Sequence, residues 1–223
     1  MNAIAYIPAR SGSKTVRRKN VKELGDKPLL AWSIEVAKKC GLRTVVDSDA
    51  RGFLTIAEKY GAETLLRPPV LAQDDTPMVD VLKEQLPKLG KVDVVVLLQP
   101  TYPFRKVRDI LGGIKMLRDA DCVVSAHEIV DSSRHPDEMF VMDKAFRVRM
   151  ASGAPVKNRI RRRQDYNRAF HPTGSFYIFR PENLKNGSIY GNDVQLYLTD
   201  EQVNINSRED WEKAELAAKY WKI

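Results

Sequence analysis

Apolar residues along this chain fall into two kinds of run. Ala3 to Ile7 and Val92 to Leu98 are nearly continuous and rich in β-branched residues, as expected of strands covered on both faces. Thr44 to Val46, the stretch from Ala62 through Leu66, and Asp121 to Ala126 read as shorter strands. Between them the period changes. Leu29, Trp32 and Val36, with Leu30, Ile34 and Ala37, recur at helical spacing behind Pro28 at the first helical position, and Gly41 lies past the end. Further helices are expected over 51–60, after a Thr76-Pro77 start that leads into Val79, Leu82 and Leu86, and over 107–118. A last helix carries Trp211, Ala214, Ala218 and Trp221 on one stripe, opened by Ser207 with Asp210 three residues on.

Strands and helices that alternate at spacings of about 10–15 residues predict an α/β fold with ligands at the carboxyl ends of its strands. From Glu128 to Arg168 that rhythm stops. Charge becomes dense and short apolar pairs alternate with polar residues, as in Met139-Phe140-Val141-Met142. This reads as an excursion of short antiparallel strands inserted into a single domain spanning 1–223.

Composition narrows the class. The 223 residues are 43% hydrophobic and 30% charged, as in an ordinary globular protein. No apolar run approaches membrane-spanning length and no signal-peptide plan opens the chain, so a cytoplasmic protein without a membrane partner is expected. Cys40 and Cys122 lack metal-ligand spacing and read as core thiols. The net charge of +8 suits a polyanion. Nucleic acid is the weaker candidate, because only Arg159 to Arg163 forms a dense basic block, without interleaved stacking aromatics.

Candidate chemistry starts where the first strand ends. Pro8-Ala9-Arg10-Ser11-Gly12-Ser13-Lys14, followed by Arg17 to Asn20, places small residues, hydroxyls and cations after a buried strand. Clustered N–H dipoles and fixed positive charge replace the hydration of phosphate oxygens, so a phosphate site is expected there. A solvated basic loop is the bland alternative. The motif is not a P-loop, since Ser13 precedes Lys14 and Pro8 stands where the earlier glycine belongs.

Ala9-Arg10-x-Gly12-Ser13-Lys14 with Lys19-Asn20 resembles the N-terminal signature of the CMP-sialic acid synthetases (acylneuraminate cytidylyltransferases), which include relatives acting on other nonulosonic acids. Leu66-Arg67-Pro68-Pro69-Val70-Leu71-Ala72, Leu98-Gln99-Pro100-Thr101 and Phe170-His171-Pro172-Thr173-Gly174 extend the likeness along most of the chain. It implies a Rossmann-like three-layer nucleotidyltransferase of the nucleotide-diphospho-sugar transferase type, with 128–170 as the dimerisation insertion of a homodimer. CTP would be held by Arg10, Gly12, Ser13, Lys14, Asn20 and Arg67, and Arg10, Lys14 and Lys19 would serve the transfer. Gln99, Arg163, His171, Thr173 and Tyr177 would line the site of an acidic sugar. Arg105 is expected in a structural ion pair.

Departures mark the metal and acceptor sides. Where the family carries an Asp-Ile-Asp pair for Mg²⁺, this chain has Asn204-Ile205-Asn206, expected on a strand with both amides on one face. Asp47, Glu138, His171 and Thr173 also differ. His171 could act as a general base or as a neutral lining residue. Asp49 could cap the next helix or touch ligand. Three functions stay open: a cytidylyltransferase for a nonulosonic acid, one for another anion such as a phosphonate, or an impaired homologue that only binds nucleotide.

Overall fold

The structure is a computed structural model that describes residues 2–13, 15–158 and 162–221. In chain order it contains β1 (Ala3–Pro8), β2 (Glu23–Leu24), β3 (Lys27–Pro28), α1 (Leu29–Lys39), β4 (Arg43–Ser48), α2 (Arg51–Lys59) and β5 (Glu63–Leu66). There follow α3 (Met78–Gln85), β6 (Val94–Leu97), α4 (Val107–Met116), β7 (Cys122–Glu128), β8 (Phe140–Met142) and β9 (Val148–Met150). The chain closes with β10 (Phe170–Phe179), β11 (Val194–Leu198) and α5 (Arg208–Ala218). It divides into two compact units, Met1–Ser125 with Thr173–Ile223, and Ala126–Pro172.

Seven strands form one sheet in the order β11-β7-β10-β6-β1-β4-β5. Its centre is parallel: β1 pairs with β4 and β6, and β4 with β5. β10 enters antiparallel beside β6, with Tyr177 opposite Leu97. The near-continuous apolar runs are explained by burial on both sides. Ala5 and Ile7, with Val94 and Val96, pack under Leu30, Ile34, Leu54 and Ile110 from α1, α2 and α4. Ile4 and Tyr6, with Val95 and Leu97, face Leu82 of α3 and Leu86 and Leu184. The result is three layers, helix on sheet on helix, with two cores.

A third cluster lies apart from the sheet. Val16, Leu24, Leu29, Trp32, Phe104, Ile205, Trp211 and Ala214 pack together, and all eight are buried. It joins the segment after β1, the start of α1 and the front of α5. Trp32 meets Phe104 edge-on at 5.3 Å between ring centres. Ser207 and Asp210 form the expected capping box on α5, each side chain accepting from the other's backbone.

Several boundaries differ from the sequence reading. Pro28 precedes α1 rather than opening it, and Pro77, not Thr76, is the residue before α3. The 203–206 segment is not in a strand. β11 is instead the edge strand, and its alternating half-exposed residues gave it no strong apolar signal.

In the second unit, β8 and β9 form an antiparallel hairpin, Phe140 opposite Met150. His135 stacks on Tyr166 at 4.7 Å and shares a hydrogen bond with Asn167 O at 2.8 Å. Tyr166 also donates its hydroxyl to Glu138. Among the described residues no helix is long and apolar enough to cross a membrane.

Candidate active site

The segment after β1 leaves the carboxyl edge of the parallel strands and is tied down at several points. Ala9 N–H donates to Asp47 O at 2.8 Å, extending the β1–β4 ladder by one step. Asp49 receives the Ser11 backbone N–H at 2.8 Å and the Ser11 hydroxyl at 2.5 Å. It thus anchors the loop, and α2 is preceded by Ala50 without a side-chain cap. Asn20 is buried and donates its amide to Arg10 O at 2.9 Å. Arg10 extends to Asp74, Nη1 to Oδ1 at 2.5 Å, with both side chains more than a third exposed. Arg18 takes a left-handed conformation, φ 53°, that turns the chain into the Lys19–Val21 turn.

Lys19 crosses the molecule. Its Nζ donates to Ile205 O at 2.7 Å, 186 residues along the chain. Desolvation lowers its pKa from the ordinary lysine value, and the nearby Arg10 charge pushes the same way against a weaker pull from Asp210. Two cations therefore sit close enough to interact, an arrangement suited to receiving an anion.

Arg67 is not poised for a ligand. It is buried, and its Nε and Nη2 both donate to Asp47 Oδ2, at 2.9 and 2.6 Å. Tyr6 donates its hydroxyl to the same oxygen at 2.6 Å. Burial foremost, then the Asp47 charge, pushes the Tyr6 hydroxyl pKa far up, so it stays a donor. The expected nucleotide contact is thus half of a buried ion pair beneath the loop. Asp47, a departure by sequence, is its partner.

Arg105 overturns a second expectation. It is fully buried, yet it meets no carboxylate among the described residues. It donates to three neutral oxygens: Ser33 Oγ at 2.9 Å, Ser175 O at 2.5 Å and Gln99 O at 2.5 Å. Desolvation lowers its pKa. The guanidinium ties α1, the end of β6 and β10 together, and it fixes the backbone from which the half-buried Gln99 side chain projects. Sequence could not separate this from an ion pair, since serine and carbonyl partners leave no signature.

The other residues assigned to the acceptor divide. Thr173 is buried and donates to Ser125 Oγ at 2.7 Å while accepting from Ser175 N–H, so it builds the sheet rather than facing a ligand. Gly174 follows at φ +73°, where an added Cβ would meet the Tyr102 ring at 3.0 Å. Tyr177 is half-buried against the α3-side core and lies edge-on to Tyr190. His171, in the second unit, is exposed, with its ring 5.3 Å from that of His127. Gly12 and Ser13 lie on the loop, exposed and partly exposed. Lys14 and the Arg163 side chain, like most of the 159–163 block, fall outside the described residues.

The two amides do not share a face. Asn204 Oδ1 is buried without a hydrogen-bond partner among the described residues, whereas Asn206 is exposed. The nearby carboxylate, Asp210, is occupied by the N–H groups of Asn206 and Ser207 at 3.0 and 2.8 Å, which lower its pKa. No cluster of three or more acidic, histidine or cysteine ligands exists among the described residues. A buried and an exposed amide, with no carboxylate at either position, do not fit a protein-held Mg²⁺, which prefers carboxylates.

The sheet order and the loop at its carboxyl edge place the molecule among the nucleotidyltransferases by fold. A solved CMP:2-keto-3-deoxy-manno-octonic acid synthetase complexed with CTP superposes with a TM-score of 0.76 at 17% identity, over 98% of this chain and 99% of that one. The model of the family described as Cytidylyltransferase matches residues 4–215, and the chain belongs to that family.

Two curated relatives refine the likeness. The N-acylneuraminate cytidylyltransferase of Escherichia coli O18:K1:H7 is 33% identical over 95% of this chain and 51% of its own length. The CMP-N,N'-diacetyllegionaminic acid synthase of Legionella pneumophila is 37% identical over 52% of this chain and 53% of its own. The chain spans about half the length of these curated relatives.

Proposed function

We propose that this chain is a cytidylyltransferase that joins CMP from CTP to the anomeric hydroxyl of a nonulosonic acid, a carboxylated sugar of the sialic or legionaminic type. The single observation that carries it is the cation-bearing loop at the carboxyl edge of β1, in a chain whose relatives are named for that transfer. The hydroxyl oxygen forms a new bond to the α-phosphorus, the bond from that phosphorus to the bridging oxygen breaks, and pyrophosphate leaves. The hydroxyl loses its proton in the process.

The chain's own residues supply charge and position. Arg10 and Lys19 receive the triphosphate, and their charges stabilise the leaving pyrophosphate. Asp49 and Asn20 already hold the loop's backbone, so only the Arg10 side chain, now on Asp74, has to turn towards the phosphates. Gln99, on a backbone fixed by Arg105, presents an amide to the acceptor.

The partner of the second unit is a second copy of this chain. Phe140, Met142 and Val148 on the hairpin, and Phe146 at its turn, are all about half or more exposed, with Phe146 at 79%. A lone two-stranded hairpin is marginal in water and calls for a cover. A monomeric mass by light scattering would refute that reading.

Pyrophosphate release from CTP with a panel of sialic, legionaminic and pseudaminic acids tests the activity. Release with at least one of them is expected. Release with none, under conditions where CTP binds, would favour the binding-only homologue, towards which the Asn204 and Asn206 amides point.

A further inference from the structure

The carbonyl between the two amides is already taken by a cation. Lys19 Nζ bonds Ile205 O at 2.7 Å, and Ile205 is fully buried with its N–H fixed on Thr101 O at 2.9 Å. The carbonyl cannot move without opening the third cluster, which Ile205 shares with Trp211 and Phe104. An ammonium has three protons. One is used on Ile205 O, and two remain on a side chain that is only half-buried.

Three acids around the loop and the front of α5 are already engaged. Asp49 holds Ser11, Asp74 is bonded to Arg10, and Asp210 caps α5. Asn204 Oδ1, on the residue before Ile205, is a neutral acceptor that is buried and has no hydrogen-bond partner among the described residues. A divalent ion here would meet a fixed positive charge and, at 204 and 206, neutral amides where carboxylates would be needed to balance it.

We propose that Lys19, seated on the Ile205 carbonyl, takes the place of a protein-held divalent ion, so that this chain binds CTP without Mg²⁺. The proposal rests on the reading of the 9–20 loop as the CTP site. The uncharged amides then follow as a consequence. Carboxylates at 204 and 206 would draw the ammonium away from the triphosphate, whereas amides leave its charge for the ligand.

Calorimetry of CTP binding to the full chain, in EDTA and with saturating Mg²⁺, is the test. The two affinities are expected to agree within about threefold. Lys19→Ala should weaken binding by roughly 10- to 100-fold in both conditions, as loss of a charge-assisted hydrogen bond would. Lys19→Arg should recover part of it. The double variant Asn204→Asp with Asn206→Asp should bind CTP better with Mg²⁺ than with EDTA.

Tight binding by the wild type only when Mg²⁺ is present would overturn this proposal and leave the CTP site standing. No CTP binding in either condition would overturn both. The wild-type comparison stands alone if a Lys19 variant fails to fold.

Discussion

The buried pair beneath the loop offers a sharp perturbation. In Arg67→Met the stem is kept and the guanidinium removed, which leaves Asp47, wholly inaccessible, with neutral donors from Tyr6 and Gln85. Breaking a buried pair from one side costs about 3–5 kcal/mol. The carboxylate has one escape, which is to take up a proton. For an ordinary aspartate that costs about 4 kcal/mol at pH 7 and about 1.5 at pH 5, so these values cap the loss.

The expected destabilisation is therefore about 3–4 kcal/mol at neutral pH and at most about 1.5 at pH 5. The sign follows from proton binding. The stranded carboxylate holds a proton more readily in the folded variant than in its unfolded chain, so the variant gains stability relative to wild type as pH falls. Urea unfolding followed by tryptophan fluorescence reads this directly, because all three tryptophans lie in the third cluster of the same unit. Adding Asp47→Leu to Arg67→Met should return most of the loss, since an apolar pair of similar volume removes the unpaired charge. A loss under about 1 kcal/mol at pH 7, or one equal at both pH values, would refute the reasoning.

Gly174→Ala should destabilise the first unit by about 1–3 kcal/mol, since it forces a Cβ onto the Tyr102 ring at positive φ; a melting temperature equal to wild type would contradict that. Ser207→Ala removes half of the α5 capping box and should cost about 1 kcal/mol in urea unfolding. Asp210 has a depressed pKa because it accepts N–H bonds. Its contribution is present above the unfolded-state value and lost as pH falls through the folded one, so Asp210→Asn should flatten the acid limb of the stability profile. Burial pushes the thiols of Cys40 and Cys122 up to about 11 and about 12, so a thiol reagent at pH 8 should label Cys122 only on unfolding.

The parallel centre of the sheet was legible because burial on both faces demands continuous apolar runs, and β1 and β6 have them. The α5 cap was legible because its partners stand three residues apart. Partnerships set by register were not. Arg67 faces Asp47 only because β4 and β5 align Asp47 with Leu65, and nothing in either short segment announces that alignment. For the same reason Asp49, open by sequence between a helix cap and a ligand contact, holds Ser11, 38 residues earlier. The 203–206 stretch was expected on a strand from its likeness to the family's Asp-Ile-Asp pair, but Ile205 is buried in the third cluster, not in a sheet.

The bond between Lys19 and Ile205 also has a consequence in time. Synthesis delivers the loop's cations early, while the carbonyl that seats one of them emerges 186 residues later. At about 5–20 residues per second that is a wait of roughly 10–40 s. For that interval the nascent chain carries an unanchored basic segment beside strands that can already pair. Asp49 and Asn20 can fix the loop's backbone early, but Lys19 gains its seat only after the segment carrying Ile205 has left the ribosome, so a ribosome-bound chain halted before residue 205 should hold the sheet's first strands but not a finished phosphate cradle.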